Sequence, residues 1–136
     1  MTTDTAAHQD VATVRSFFES FARRDMAAVR ALFRPDATWN HRNADRFAGV
    51  HRGPDEILGF MTESAQLTAG TLRPAPKMFM ADGEGHVAVL VQLGGTRPDG
   101  RSLEDPQMVL FTLDVDGVRS VDHFVGDPAA VTAFWA

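Results

Sequence analysis

Apolar residues near the start of the chain recur at helical spacing: Val11, Val14, Phe18 and Phe21, with Phe17 beside them and Arg15, Ser16 and Glu19 between. The stripe predicts an amphipathic helix over about residues 9–24, with an unusually aromatic buried face. Asp25 is placed to cap a second, short helix carrying Met26, Val29, Leu32 and Phe33. Arg34-Pro35-Asp36 ends that helix, because proline disfavours a helical residue before it. Ala37 to His41 reads as a short strand, followed by a loop rich in Arg, Asn and Gly, and Gly53-Pro54-Asp55-Glu56 starts a third helix carrying Ile57, Leu58, Met61 and Ala65. From Gly70 onward the period changes. Met78 to Ala81, His86 to Leu93, Gln107 to Val115 and Val118 to Val125 are β-rich runs parted by Asp82-Gly83, Pro98-Asp99-Gly100 and Asp116-Gly117, the signature of an antiparallel meander. Asp127-Pro128 opens a last helical turn whose Phe134-Trp135 pair closes one end of the core.

Helices first and a curved sheet afterwards imply an α+β fold in which three helices from the N-terminal half pack on one sheet face and enclose a pocket. The 136 residues suit one domain, with residues 1–8 expected to be disordered. Hydrophobic residues at 44% and charged residues at 23% exclude a disordered tail or a coiled coil. Thirteen Lys and Arg against eighteen Asp and Glu leave a net charge of −5, which disfavours nucleic acid and anionic membranes as partners. The chain has no cysteine, so disulfides, thiolate nucleophiles and sulfur-bound metals are closed to it. The polar start MTTDTAAHQD lacks the basic and apolar segments of a secretion signal, and a cytoplasmic protein is expected.

Several phrases in fixed order add to this pattern: "LFRPDATW" at 32–39, "AGVHRGPDEILGF" at 48–60, "LTAGTL" at 67–72, "DGRSLED" at 99–105, "DGVRSVDHFVGD" at 116–127 and the closing "DPAAVTAFWA". With them the chain, over roughly residues 9–136, resembles the nuclear transport factor 2-like superfamily, more narrowly its SnoaL-like and ketosteroid-isomerase-related branch. The resemblance implies a cone-shaped, curved antiparallel or mixed sheet, an apolar cavity for a small-molecule ligand, no cofactor, and a homodimer. It does not fix a reaction.

Trp39 and His41 share one face of the first strand, and the resemblance turns that face into the cavity. His41 stands where ketosteroid isomerases carry their general base, and a histidine suits proton transfer near neutral pH; the alternative is a strand-end residue satisfied by water or a neighbouring carbonyl. On the last strand, residues 120, 122 and 124 alternate with 119, 121, 123 and 125, and only one set faces inward. Counting back from Asp127, the SnoaL-like cyclases and related epoxide hydrolases would place an acid/base Asp at position 124. This implies an inward set of 120, 122 and 124, in which Phe124 replaces the acid and Asp122 is the substitute. The alternative is a surface carboxylate. The positions matching the isomerase tyrosine and its partner acid hold Phe17 and Val109, so an isomerase oxyanion hole is excluded. Trp39, Phe17, Phe21, Phe124, Val109, Gln107 and His51 are the expected substrate-contacting residues.

Arg101, Glu104 and Asp105 either rim the pocket mouth or form a solvated turn, the latter preferred. His41, His51 and Asp45, or Asp122 and His123, lack a recognisable ligand spacing, and no metal is expected. The leading expectation is a small cofactor-independent enzyme acting by acid/base catalysis on an apolar carbonyl- or epoxide-bearing molecule, of cyclase, isomerase or epoxide-hydrolase type. A non-catalytic small-molecule-binding protein is the alternative, and an interaction module using an outer face of Arg119, Val121, His123 and Val125 is a third.

Overall fold

The computed structural model describes residues 3–136. The first helix, α1, runs from Thr3 to Ala22 and buries Val14, Phe17, Phe18 and Phe21, the aromatic stripe read from the sequence. It begins at Thr3, earlier than its apolar period suggests, within the segment 1–8 expected to be disordered; residues 1 and 2 lie outside the described residues. Arg24 closes the helix in the left-handed region at φ 57°, with Asp25 N–H donating to Ser20 O and Arg24 N–H to Phe21 O. That pattern is a Schellman stop. Asp25 caps α2 (Met26–Ala31) by accepting from Ala28 N–H at 3.1 Å, as its position predicts.

Helix α2 is shorter than expected, because Phe33 already belongs to β1 (Phe33–Arg42). Pro35, expected to be a helix stop, lies inside this strand, where the pairing shifts register between Phe33 and Thr38. A residue without an N–H is tolerated at such an irregularity. The loop expected after His41 contains a further strand, β2 (Gly49–Arg52), too short to show alternation. α3 (Gly53–Leu67) follows with its proline in the first turn. β3 (Arg73–Ala81), β4 (His86–Thr96), β5 (Ser102–Asp114) and β6 (Gly117–Phe124) form the meander, and α4 (Pro128–Trp135) ends the chain.

The six strands form one mixed, open sheet in the order β2-β1-β6-β5-β4-β3. β1 lies parallel to β6, and every other pair is antiparallel. Pro74 and Pro76 fall on β3, an edge strand, where a missing N–H costs the ladder least. α1 and α3 pack on the inner face, and the ring of Phe17 lies 5.1–6.5 Å from those of Phe18, Phe21, Phe33, Trp39 and Phe111. Val131, Phe134 and Trp135 of α4 are buried, and Trp135 meets Phe47 edge-on at 5.0 Å. This is the α+β layout expected from the element order, with the curved, mixed sheet that the resemblance implies.

Candidate functional site

Because side chains alternate along a strand, β1 turns Trp39 and His41 inward together, and both are almost fully buried. The parallel register sets Trp39 beside Val121 and His41 beside His123, so β6 must face Val121 and His123 inward as well. Alternation on β5 buries Leu103, Asp105, Gln107 and Val109 in the same way. An apolar cavity of about 70 Å³ opens between these strands and the helices. Phe17, Phe18 and Phe21 wall it from α1, and Phe60 and Met61 from α3. Trp39, Val109, Gln107 and His123 form part of its sheet side, and Gln107 and His123 supply its hydrogen-bonding wall.

Behind that wall runs an unbroken line of buried polar side chains. Asp45 Oδ2 lies 2.8 Å from His41 Nε2, and His41 Nδ1 lies 3.4 Å from His123 Nδ1. His123 Nε2 is 2.5 Å from Gln107 Oε1, and Gln107 Nε2 donates to Asp105 Oδ2 at 3.0 Å. Trp39 Nε1–H, which can only donate, points at His123 Nδ1 from 3.2 Å. His123 Nδ1 is therefore an acceptor and the ring proton sits on Nε2. His41 Nε2 faces the Asp45 carboxylate, which can only accept, so that nitrogen carries a proton, while His41 Nδ1 lies against the same His123 nitrogen.

Electrostatics agree with a neutral His123. Burial, reinforced by the facing charge of His41, pushes His123 down to about 3, so at neutral pH it is an uncharged ring. For Asp45 burial acts upward, but hydrogen bonds from His41, Asn43 and the Phe47 N–H outweigh it and hold the carboxyl below its ordinary range. The result is a buried Asp45–His41 hydrogen bond set against a neutral histidine on the cavity wall.

Several expectations from the sequence change here. Asp122 faces outward and pairs with Arg42 at 2.8 Å, away from the cavity. Phe124 is 43% exposed with the Arg42 guanidinium 5.5 Å over its ring. The count back from Asp127 was thus one residue out of phase, and a one-residue slip turns every side chain to the other face. The same correction removes Val121 and His123 from the outer patch suggested for an interaction module. His51 does not reach the cavity: its Nε2 lies 2.8 Å from Phe47 O and its ring stacks on Phe60 at 4.8 Å. Trp39, Phe17, Phe21, Val109 and Gln107 do line it. His41 sits one side chain behind the wall, at 3% exposure. Asp105, expected in a solvated turn, is 2% exposed. Period two from Gln107 and Val109 would have placed it inside. Among the described residues no group of three or more histidine and acidic side chains is arranged to hold a metal.

A family model of the SnoaL-like domain matches residues 14–123. The chain belongs to the SnoaL-like family. An uncharacterised protein of Mycobacterium tuberculosis is 29% identical over 127 residues, covering 93% of this chain and 96% of that one. Among solved structures, Bal32a from a soil-derived mobile gene cassette superposes with a TM-score of 0.92 at 24% identity, covering 96% of this chain and 99% of Bal32a. A putative SnoaL-like polyketide cyclase from Jannaschia sp. CCS1 superposes with a TM-score of 0.79 at 22% identity, covering 96% and 94%. At these identities the structures establish the NTF2-like cone for this SnoaL-like chain and leave its chemistry to its own residues.

Proposed function

We propose that this SnoaL-like protein is an enzyme that works without a cofactor, by acid/base catalysis on a small apolar molecule bearing a carbonyl or epoxide oxygen. The observation that carries the reading is the buried Asp45–His41–His123 line ending on the wall of an apolar cavity. Buried ionisable groups are costly, and their clustering at a cavity is the usual mark of a functional site. In this reading a substrate oxygen takes the place of Gln107 Oε1 at His123 Nε2–H. His41 enters this step with a proton on each nitrogen: His123 gives its proton to the oxygen while its Nδ1 takes the proton of His41 Nδ1. His41 is left neutral, keeps its Nε2–H on Asp45, and no imidazolate forms. Aromatic walls exclude water and strengthen each of these hydrogen bonds. The resemblance to a putative polyketide cyclase makes cyclisation of a polyketide-like ketone the first reaction to try.

One observation favours a second reading, a non-catalytic carrier. The cavity is far below the roughly 300 Å³ of ordinary ligand sites, and its polar groups already satisfy one another. A shallow groove between α1 and β3 shares Phe18, Leu72 and Pro74 with the cavity and gives larger ligands a way in. The test is a native mass spectrometry and NMR screen against ketones, epoxides and enones, with turnover measured for binders. His41→Gln and His123→Asn are expected to keep binding and lose turnover by roughly 10²- to 10⁴-fold, whereas Asp122→Asn leaves it unchanged. Binding across the panel without turnover by the unmodified protein would support the carrier. We also propose that the protein is a homodimer, which would cover the outer sheet face where Met78 and Met80 are each 52% exposed.

A further inference from the structure

Asp105 belongs to no part of the proton path, yet it is 2% exposed and every hydrogen bond to it comes from a donor. Oδ2 accepts from Gly126 N–H and Gln107 Nε2 at 2.9 and 3.0 Å, and Oδ1 accepts from Asp127 N–H at 2.9 Å. A carboxylate can only accept, whereas the Gln107 amide can present either end to either neighbour. With its NH₂ taken by Asp105, Gln107 must present Oε1 to His123, and His123 Nε2 must then carry the proton.

The opposite direction is a closed chain too. If Gln107 turned over, its NH₂ would donate to His123 Nε2, the ring proton would move to Nδ1, and His123 would donate to His41. His41 would then accept at Nδ1 and donate to Asp45 through Nε2–H. Between the two histidines and Trp39 that arrangement gives up only the Trp39 bond, so Trp39 alone is a weak guarantor of direction; at Gln107 it also gives up the bond to Asp105. What forbids it is the lone-pair repulsion between a turned Gln107 Oε1 and the Asp105 carboxylate.

We infer that Asp105 is a positioning residue: by orienting the Gln107 amide it fixes the direction of the hydrogen-bond chain through Gln107 and His123, keeping His123 as a donor on the cavity wall. For a ligand the consequence is chemical. The wall offers a hydrogen, so the molecule it takes must bring an acceptor oxygen, and a ligand group that only donates finds no partner. This consequence rests on the acid/base reading above, whereas the direction of the chain is a property of the ligand-free protein.

The experiment is long-range ¹H–¹⁵N NMR of the histidine rings in the ligand-free protein at neutral pH. In the unmodified protein His123 is expected to show a single pyrrole-type Nε2 and a pyridine-type Nδ1. In Asp105→Ala the amide is free to turn, and the His123 signals are expected to move towards an average of the two tautomers. Asp105 also holds the turn before α4, so Gln107→Leu is measured beside it; this variant cuts Asp105 off from His123 and leaves that turn intact. Its expected result is the same loss of a single tautomer. An Nδ1–H tautomer of His123 in the unmodified protein, or an unchanged Nε2–H tautomer in Gln107→Leu, would overturn the inference. Loss of turnover in other variants without any change in these spectra would bear on the catalytic reading alone.

Discussion

His123 is uncharged in the folded protein because burial and the facing His41 hold it near 3, while in the unfolded chain it returns to its ordinary value near 6.5. The unfolded state therefore binds the proton first. The stability this site contributes is complete above about pH 6.5 and is lost as the pH falls towards 3, at a slope of up to about 1.4 kcal/mol per pH unit. Asp45, held below its ordinary value, adds a loss of the same sign at lower pH. Urea titrations from pH 7 to pH 4 are expected to show this acid limb in the unmodified protein and a shallower one in His123→Gln; parallel profiles would mean that His123 titrates normally. His41→Phe removes the partner of a buried carboxylate. It is expected to cost about 3–5 kcal/mol, read as a lowered urea midpoint, because the charge left behind is paid for by nothing nearby except Asn43 and one backbone N–H.

At the scale of elements, the helices and the meander were legible because each carries its own period, and Asp25 and Asp127 cap the helices their positions predict. Asp25→Ala should cost about 1 kcal/mol, seen as a small drop in thermal midpoint without loss of binding. Periodicity gives which residues of β6 share a face but not which face is buried. That phase is set by pairing with β1 and is a tertiary property, which is why Asp122 was favoured over His123. Four residues, GVHR, carry no pattern by which β2 could be read, and Asp105 follows an Asp-Gly turn whose residue types favour solvent. The turn between β6 and α4 shows how local backbone and site depend on each other. Gly126 brings its N–H to Asp105, and a Cβ there would run into Pro106 O and lie 3.0 Å from Asp105 Oδ1. Gly126→Ala is thus expected to lower stability and broaden the His123 ring signals together, whereas a surface alanine would do neither.

For the whole molecule, the open sheet has two unlike faces. Helices α1 and α3 cover the inner one, while the outer one presents Met78 and Met80 on β3 in register with Leu90 and Ala88 on β4, which are in turn in register with Met108 and Leu110 on β5. This contiguous apolar surface has no covering element among the described residues, and such surfaces on water-exposed sheets usually mark an association site. A second copy placed sheet to sheet would bury it symmetrically, since one self-complementary patch serves both partners of a two-fold dimer. A charge of −5 on each chain works against association at long range, so the apolar contact must supply the affinity and added salt should strengthen it. Sedimentation equilibrium is expected to give a dimer for the unmodified protein at micromolar concentration. Met80→Asp together with Leu90→Asp should give a folded monomer, each copy bringing two like charges to the centre of the contact. If the unmodified protein sediments as a monomer, the outer face is not a self-association surface. If the double variant remains a dimer, the contact lies elsewhere. Because His41, His123 and Asp105 are all on the inner side of the sheet, the monomeric variant should retain the same histidine tautomers, which separates assembly from the chemistry of the cavity.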